Sequence, residues 1–160
     1  MKPKQNVTKY QVSLTVNDKR WKKDMSSFLV RMAEDTLTAM RVKKKIPVLM
    51  GLVLTDAKEM HQLNLTYRGK DKSTNVLSFA DLDDDMMPSD FFLLGDVILS
   101  YDDVQKESPV LFKTFKAHAA HLVIHGVLHL LGYDHIEDDE AEIMEKKECQ
   151  LLKKLLPPEK

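Results

Sequence analysis

The stretch from His118 to His135, HAAHLVIHGVLHLLGYDH, limits what this chain can become more than any other, because it holds five of the six histidines in 160 residues. His125 and His129 are four apart, and residues at that spacing lie one above the other on a single face of an α-helix. Their imidazoles can therefore offer nitrogens to one point. Gly132 accepts the left-handed conformation that ends a helix, so the chain can fold back and bring His135 to the same point. Three neutral imidazoles at about 2.0–2.1 Å leave the fourth tetrahedral position of Zn²⁺ open to water. That is the plan of a catalytic centre, since a structural zinc normally takes four protein ligands. Amphipathic helices also bury histidines for packing, and His118 and His121 fall on the same side as His125. A place behind the ligands or facing substrate suits these two. Packing has no use for a third histidine beyond a glycine.

The spacing resembles the metzincin zinc-peptidase pattern H-E-x-x-H-x-x-G-x-x-H, with one departure. Position 126, where such peptidases carry a general-base Glu, is Gly. Without that carboxylate a peptidase lacks the group that deprotonates the attacking water. The whole string from His125 to His135, HGVLHLLGYDH, resembles instead the bacterial YbeY family. That resemblance implies a zincin-like fold and one zinc ion on His125, His129 and His135, with His125 also counted in the catalytic machinery. It further implies an endoribonuclease cutting single-stranded RNA in maturation of ribosomal RNA, including the 3′ end of 16S rRNA, and in ribosome quality control. The expected partners are RNA and the ribosome or its assembly factors, with no DNA.

Asn64 to Phe79, NLTYRGKDKSTNVLSF, read by itself is an exposed basic turn followed by a strand over Thr74 to Phe79. It also looks like the family's second characteristic stretch, which implies that Arg68 lies by the zinc cleft and takes part in catalysis. A guanidinium there grips a phosphate through two parallel hydrogen bonds and stabilises the charge that builds on it, which lysine cannot do in the same geometry. Lys70 and Lys72 are candidate RNA contacts on the same turn. After Phe79 the family habit is proline, whereas this chain has Ala80 and the acidic residues Asp81, Asp83, Asp84 and Asp85, read as a solvated loop. Leu94-Gly95-Asp96 also resembles the family; Asp96 either orients a ligand or holds a strand end. Asp134 either serves as the base that Gly126 leaves unassigned or holds a ligand imidazole by hydrogen bond, and His121 belongs with it behind the ligands. Zinc would act as a Lewis acid, as a source of hydroxide, or both, and either water or the ribose 2′-hydroxyl can be the attacking group.

Fold class follows from the order of periodic segments. Alternation marks a strand over Lys9 to Asn17, and helical spacing runs from Asp24 to Val42. Arg41, Lys43, Lys44 and Lys45 gather at its end, where a helix dipole favours cations. A continuously apolar strand over Ile46 to Thr55 reads as central and covered on both faces. Thr55 or Asp56 caps a short helix carrying His61, read as surface or packing. Strands over residues 74–80 and 93–100 have no helix between them and should form an antiparallel edge pair. A short helix over Asp102 to Glu107 should stop before Pro109, and residues 112–131 should form the central metal-binding helix. The last helix is amphipathic, with Met144 in the core and Cys149 inert. The expected fold is α+β (α/β-like), a single domain over 1–160 with a small mixed sheet and a loose tail at 1–8. Its cleft should open between the sheet edge and the central helix.

Composition narrows the partners. Residues 1–80 hold 16 Lys and Arg against 7 Asp and Glu, and residues 81–160 hold 8 against 18. A basic half admits a polyanion, while the net charge of −1 argues against indiscriminate coating of nucleic acid. A lone cysteine excludes an internal disulfide, and no apolar run approaches a membrane span, so a cytoplasmic protein is expected. Two rival functions remain at this point. One is a zinc peptidase, disfavoured by Gly126; the other is a ribosome-associated module with structural zinc and no catalysis.

Overall fold

The computed structural model describes residues 9–42, 46–80, 91–111, 113–134 and 137–156. Four strands and five helices follow in the order β1 (Tyr10–Val16), α1 (Lys23–Ala39), β2 (Val48–Thr55), α2 (Ala57–Arg68), β3 (Val76–Ala80), β4 (Phe92–Ser100), α3 (Tyr101–Val110), α4 (Phe115–Leu130) and α5 (Asp138–Leu155). The sheet order is β1-β2-β4-β3. β1, β2 and β4 are parallel, and β3 lies antiparallel against β4 at the edge. The mixed α/β architecture expected from the sequence is therefore present.

One face of the sheet carries the main core. Val48, Met50, Leu52 and Leu54 of β2 and Val97 and Leu99 of β4 are buried with Leu29, Met32 and Leu37 of α1 and Val123, Ile124, Val127 and Leu128 of α4. At roughly 1.5–3 kcal/mol for each fully buried aliphatic side chain, this layer is the main source of stability. Trp21 seals its lower end: the indole N–H donates to the Thr55 carbonyl at 2.9 Å, and its ring meets those of Tyr101 and Phe115 at 5.3 and 5.4 Å between centroids. The other face is thinner, which corrects the reading of β2 as covered on both sides. Leu49, Gly51 and Val53 are only half-buried. Among the described residues, α2 covers the β3–β4 end, through Met60 against Leu77 and Ile98, and touches β2 at Val53. Asp96 stands on this thin face, mid-strand and turned away from α4, with its carboxylate against Gly51. It neither ends the strand nor reaches the histidine helix.

Several boundaries move for identifiable reasons. α1 stops at Ala39 rather than near Val42 because Arg41 takes φ 56°, and the Val42 N–H turns back to the Leu37 carbonyl at 3.2 Å. α3 continues through Pro109, which removes one backbone donor, and closes with Leu111 N–H on Glu107 O at 3.0 Å. α4 begins at Phe115 rather than 112, where the Thr114 hydroxyl accepts the Ala117 N–H at 3.1 Å. Asp56 caps α2 through the Glu59 N–H at 2.9 Å. Arg68 is the last residue of that helix and not part of the loop, which starts at the left-handed Gly69. The tail at 1–8, Lys43 to Lys45 and Asp81 to Asp85 lie outside the described residues.

In β4 the pairing with β2 skips Leu94, and the bulge is absorbed by Gly95 at φ 135°. A Cβ at Gly95 would sit 2.1 Å from the Phe79 carbonyl oxygen, so Gly95→Ala should cost at least about 1–3 kcal/mol in urea unfolding and loosen β3 in hydrogen exchange. Arg20 joins the turn after β1 to α3 by pairing with Asp18 and Asp102, each at 2.7 Å. Its hydrogen bonds hold both carboxyls below their usual pKa. A depressed carboxyl contributes stability above its unfolded value, about 3.9, and loses it as pH falls through the folded value. Arg20→Gln should therefore lower the melting temperature at pH 7, and the difference from the parent chain should shrink as pH falls below the unfolded value of about 3.9.

Candidate active site

The site is built on α4, which is apolar almost all round and buried on most sides, as a central helix must be. Gly126 sets how deep it lies. A Cβ there would come 2.6 and 3.0 Å from the two Val97 methyl carbons and 3.1 Å from the Ser78 hydroxyl. Glycine at 126 therefore does more than omit a base: it lets the helix backbone rest on β3 and β4. The Ser78 hydroxyl also reaches the Gly126 carbonyl at 3.3 Å.

His125 and His129 project from the same side of α4, their ring centroids 4.5 Å apart and their planes at 81°. Their Nε2 atoms approach each other to 3.0 Å. The Nδ1 of His129 faces the Tyr133 carbonyl at 3.0 Å. A carbonyl can only accept, so His129 donates from Nδ1 and its Nε2 carries the lone pair. The Nδ1 of His125 contacts the Glu148 carboxylate on α5, which fixes the same tautomer. The turn that presents Tyr133 runs through Gly132 at φ 101°, with Gly132 N–H on His129 O and Tyr133 N–H on Leu128 O, both at 3.0 Å. His135, the third histidine of the motif, lies outside the described residues. Among the described residues no three His, Cys, Asp or Glu side chains are grouped to hold a metal ion.

Behind His125 the network continues. Glu148 is largely buried and takes His121 Nε2 on its second oxygen at 3.1 Å, while Lys113 Nζ meets His121 Nδ1 at 2.8 Å. Burial alone would push the Glu148 carboxyl up; the hydrogen bonds from His121 and His125 outweigh it and hold the pKa at about 2. His121 therefore stands behind His125 and does not line the cleft. One turn earlier His118 is buried against Glu107 at 2.8 Å, and Glu107 also accepts from Asn75 at 3.0 Å, tying α4 to the entry of β3.

A cleft of about 590 Å³ opens between edge strand β3 and α4, lined by Arg68, Asn75, Ser78, His125, His129 and Asp134 among others. Arg68 reaches it from the end of α2. One of its N–H groups donates to the Ser78 carbonyl at 2.7 Å, and the guanidinium lies 5.1 Å from the Phe79 ring centroid. Lys70 and Lys72 follow on the exposed turn and are not among the lining residues. His61 is exposed and meets Asp71 at 2.6 Å. Glu148 is the site residue that sequence reasoning misses: in EIMEKKECQLL it reads as one more charge on an amphipathic helix, and only its buried phase beside Met144 and Leu151 marks it.

Two imidazoles and a guanidinium lining one open cleft on a mixed α/β scaffold are a constellation that suits a hydrolytic enzyme. The family profile for endoribonuclease YbeY matches residues 6–156. Proteins named endoribonuclease YbeY from Pseudomonas entomophila and Pseudomonas putida are 54% and 53% identical to it over 111 residues, 69% of this chain and 69% of each relative. The solution structure of a Thermotoga maritima protein shares the fold at TM-score 0.61 and 24% identity, covering 90% of this chain and 88% of the other. The chain belongs to the endoribonuclease YbeY family.

Restoring the missing carboxylate should not restore peptidase chemistry, because position 126 has no room for a Cβ. Gly126→Ala should cost about 1–3 kcal/mol in denaturant unfolding by overpacking against Val97. Gly126→Glu should be less stable still and show no peptide hydrolysis above the parent chain; a folded, active peptidase would contradict this account of the glycine.

Proposed function

We propose that this chain is a zinc-dependent endoribonuclease that cuts single-stranded RNA in the maturation of ribosomal RNA, including the 3′ end of 16S rRNA, and in ribosome quality control. Its setting on this reading is the cytoplasm, with the ribosome or assembly factors as partners. The observation that carries it is the pair of Nε2 atoms 3.0 Å apart, each on a ring whose Nδ1 is committed to an oxygen acceptor. Two lone pairs so close repel unless a cation or proton is shared between them, and neutral imidazole is a preferred ligand of zinc. His125 and His129 thus fit two ligands, and His135 is proposed as the third from the motif. Bound there, zinc supplies Lewis acidity toward a phosphoryl oxygen and lowers the pKa of water.

The chain's own groups supply the rest. Arg68 lines the same cleft and is held by Ser78, so its planar fork is positioned to neutralise a scissile phosphate. Asp134 also lines the cleft and is the candidate to accept a proton from the attacking oxygen or to orient a ligand. Lys70 and Lys72, exposed on the turn beyond Arg68, suit contacts to flanking phosphates. A peptidase is disfavoured, since no carboxylate can be carried at 126.

Cleavage of a short single-stranded RNA by the zinc-loaded chain tests this reading. His129→Ala should abolish cleavage and chelation should reproduce that loss. Arg68→Ala should lower kcat by about 10²–10³-fold, with Arg68→Lys recovering only part of it. Equal cleavage by all folded variants would overturn the proposal in favour of a binding module. An RNA with one 2′-deoxy residue at the cut site separates attack by the ribose hydroxyl, which it would abolish, from attack by water.

A further inference from the structure

Resting on the metal-centre reading above, we infer that Glu148 is a positioning residue: its carboxylate selects the tautomer of His125 that leaves Nε2 able to bind a metal, while Lys113 sets the tautomer of His121 on its other oxygen. The argument is one of donors and acceptors. A lysine ammonium has only donors, so Lys113 Nζ at 2.8 Å makes His121 Nδ1 an acceptor. The single N–H of neutral His121 is then on Nε2, and it points at Glu148 Oε2 at 3.1 Å. The other carboxylate oxygen receives the Nδ1–H of His125. One carboxylate thus takes two N–H donors, one on each oxygen, and α5 becomes a support for the site on α4.

Every position in this relay is constrained by the one before it. His121 cannot double as a metal ligand, because both of its nitrogens are engaged. Glu148 cannot join the ligands at the shared point, since it meets His125 at Nδ1, the nitrogen on the opposite side of the ring from the one facing His129. A glutamine at 148 would keep the shape and offer one acceptor and one donor. Lys113 still fixes His121 as an Nε2–H donor, so His121 takes the amide oxygen and the amide N–H₂ faces His125. His125 must then carry its proton on Nε2, where it blocks the metal. Removing Lys113 frees His121 to flip, which lets the amide turn round and returns His125 to its working form.

Zinc affinity measured by competition with a chromophoric chelator, using the full chain, reads this directly and needs no RNA cleavage. Glu148→Gln should bind zinc about 10–100-fold more weakly than the parent. Lys113→Met should stay near the parent, and Lys113→Met/Glu148→Gln should recover most of the affinity lost in the single variant. A purely structural Glu148 predicts a lower metal-free melting temperature in Glu148→Gln, unchanged zinc affinity once folded, and no recovery in the double variant; that result would overturn the inference. Long-range ¹H–¹⁵N spectra of the metal-free parent keep the idea falsifiable even if Glu148→Gln fails to fold. They should show protonated Nδ1 on His125 and protonated Nε2 on His121, and the reverse assignment would sink it. Absence of RNA cleavage with this pattern of affinities intact would count against the proposed function alone, and cleavage with the pattern missing against the relay alone.

Discussion

The contact between the α4 backbone at Gly126 and the side chain of Val97 is the constraint on which the rest of the site depends. With no Cβ in the way, the helix lies close enough for Ser78 to reach its backbone carbonyl, and β3, β4 and α4 form one rigid wall. Move α4 outward by a methyl group and several things change together. The separation of His125 from Arg68 across the cleft, the reach of Glu148 on α5, and the bond from His118 to Glu107 all depend on where that helix rests. Close packing and the geometry of the candidate site here are the same fact viewed from two sides of the helix.

Depth of burial also explains the electrostatics. α4 carries histidines through an apolar environment, where an imidazole must satisfy both nitrogens or forfeit hydration. The chain meets most of this with acceptors delivered from three separate elements: Glu107 from α3 to His118 Nε2, Glu148 from α5 to His121 and His125, and the Tyr133 carbonyl from the turn to His129; among the described residues His118 Nδ1 stays buried without a partner. Each acceptor settles where a proton sits. The elements around α4 therefore fix tautomers as well as fill space.

Much of this was legible in the sequence, and the parts that were not share a cause. Spacing alone put His125 and His129 on one face, and Gly132 marked the turn, because both signals are local to a few residues. The edge pair β3–β4 was readable from the missing crossover. Glu148 was not, since its meaning comes from His121, 27 residues away, and nothing in the run of charges about it announces a buried phase. The thin face of the sheet was hidden for a similar reason. An apolar β2 looks the same whether α2 covers its far side fully or only around Val53. Arg68 shares a cleft with His125 and His129 as expected but belongs to a different element, as helix and loop differ there only by where Gly69 turns left-handed. Trp21, set among lysines and arginines, gave no sign that it closes the core.

Gly126 raises a chemical question that packing alone does not answer: how a site of this spacing works without the neighbouring carboxylate. The answer follows from the charge of the substrate proposed. Peptide hydrolysis begins from a neutral carbonyl and needs strong activation of water, so a base next to the metal is hard to give up. A phosphodiester already carries negative charge that increases during cleavage, and stabilising that charge does more than improving the base. The cleft is built in that sense. Arg68, a permanent cation at the end of α2, shares the cleft with the two imidazoles, and its fork is steadied by Ser78, the same residue whose hydroxyl packs against Gly126. A glycine that admits the helix to the sheet and the arginine proposed to meet the phosphate are therefore joined through one serine, so a side chain added at 126 would disturb the cation as well as the fold.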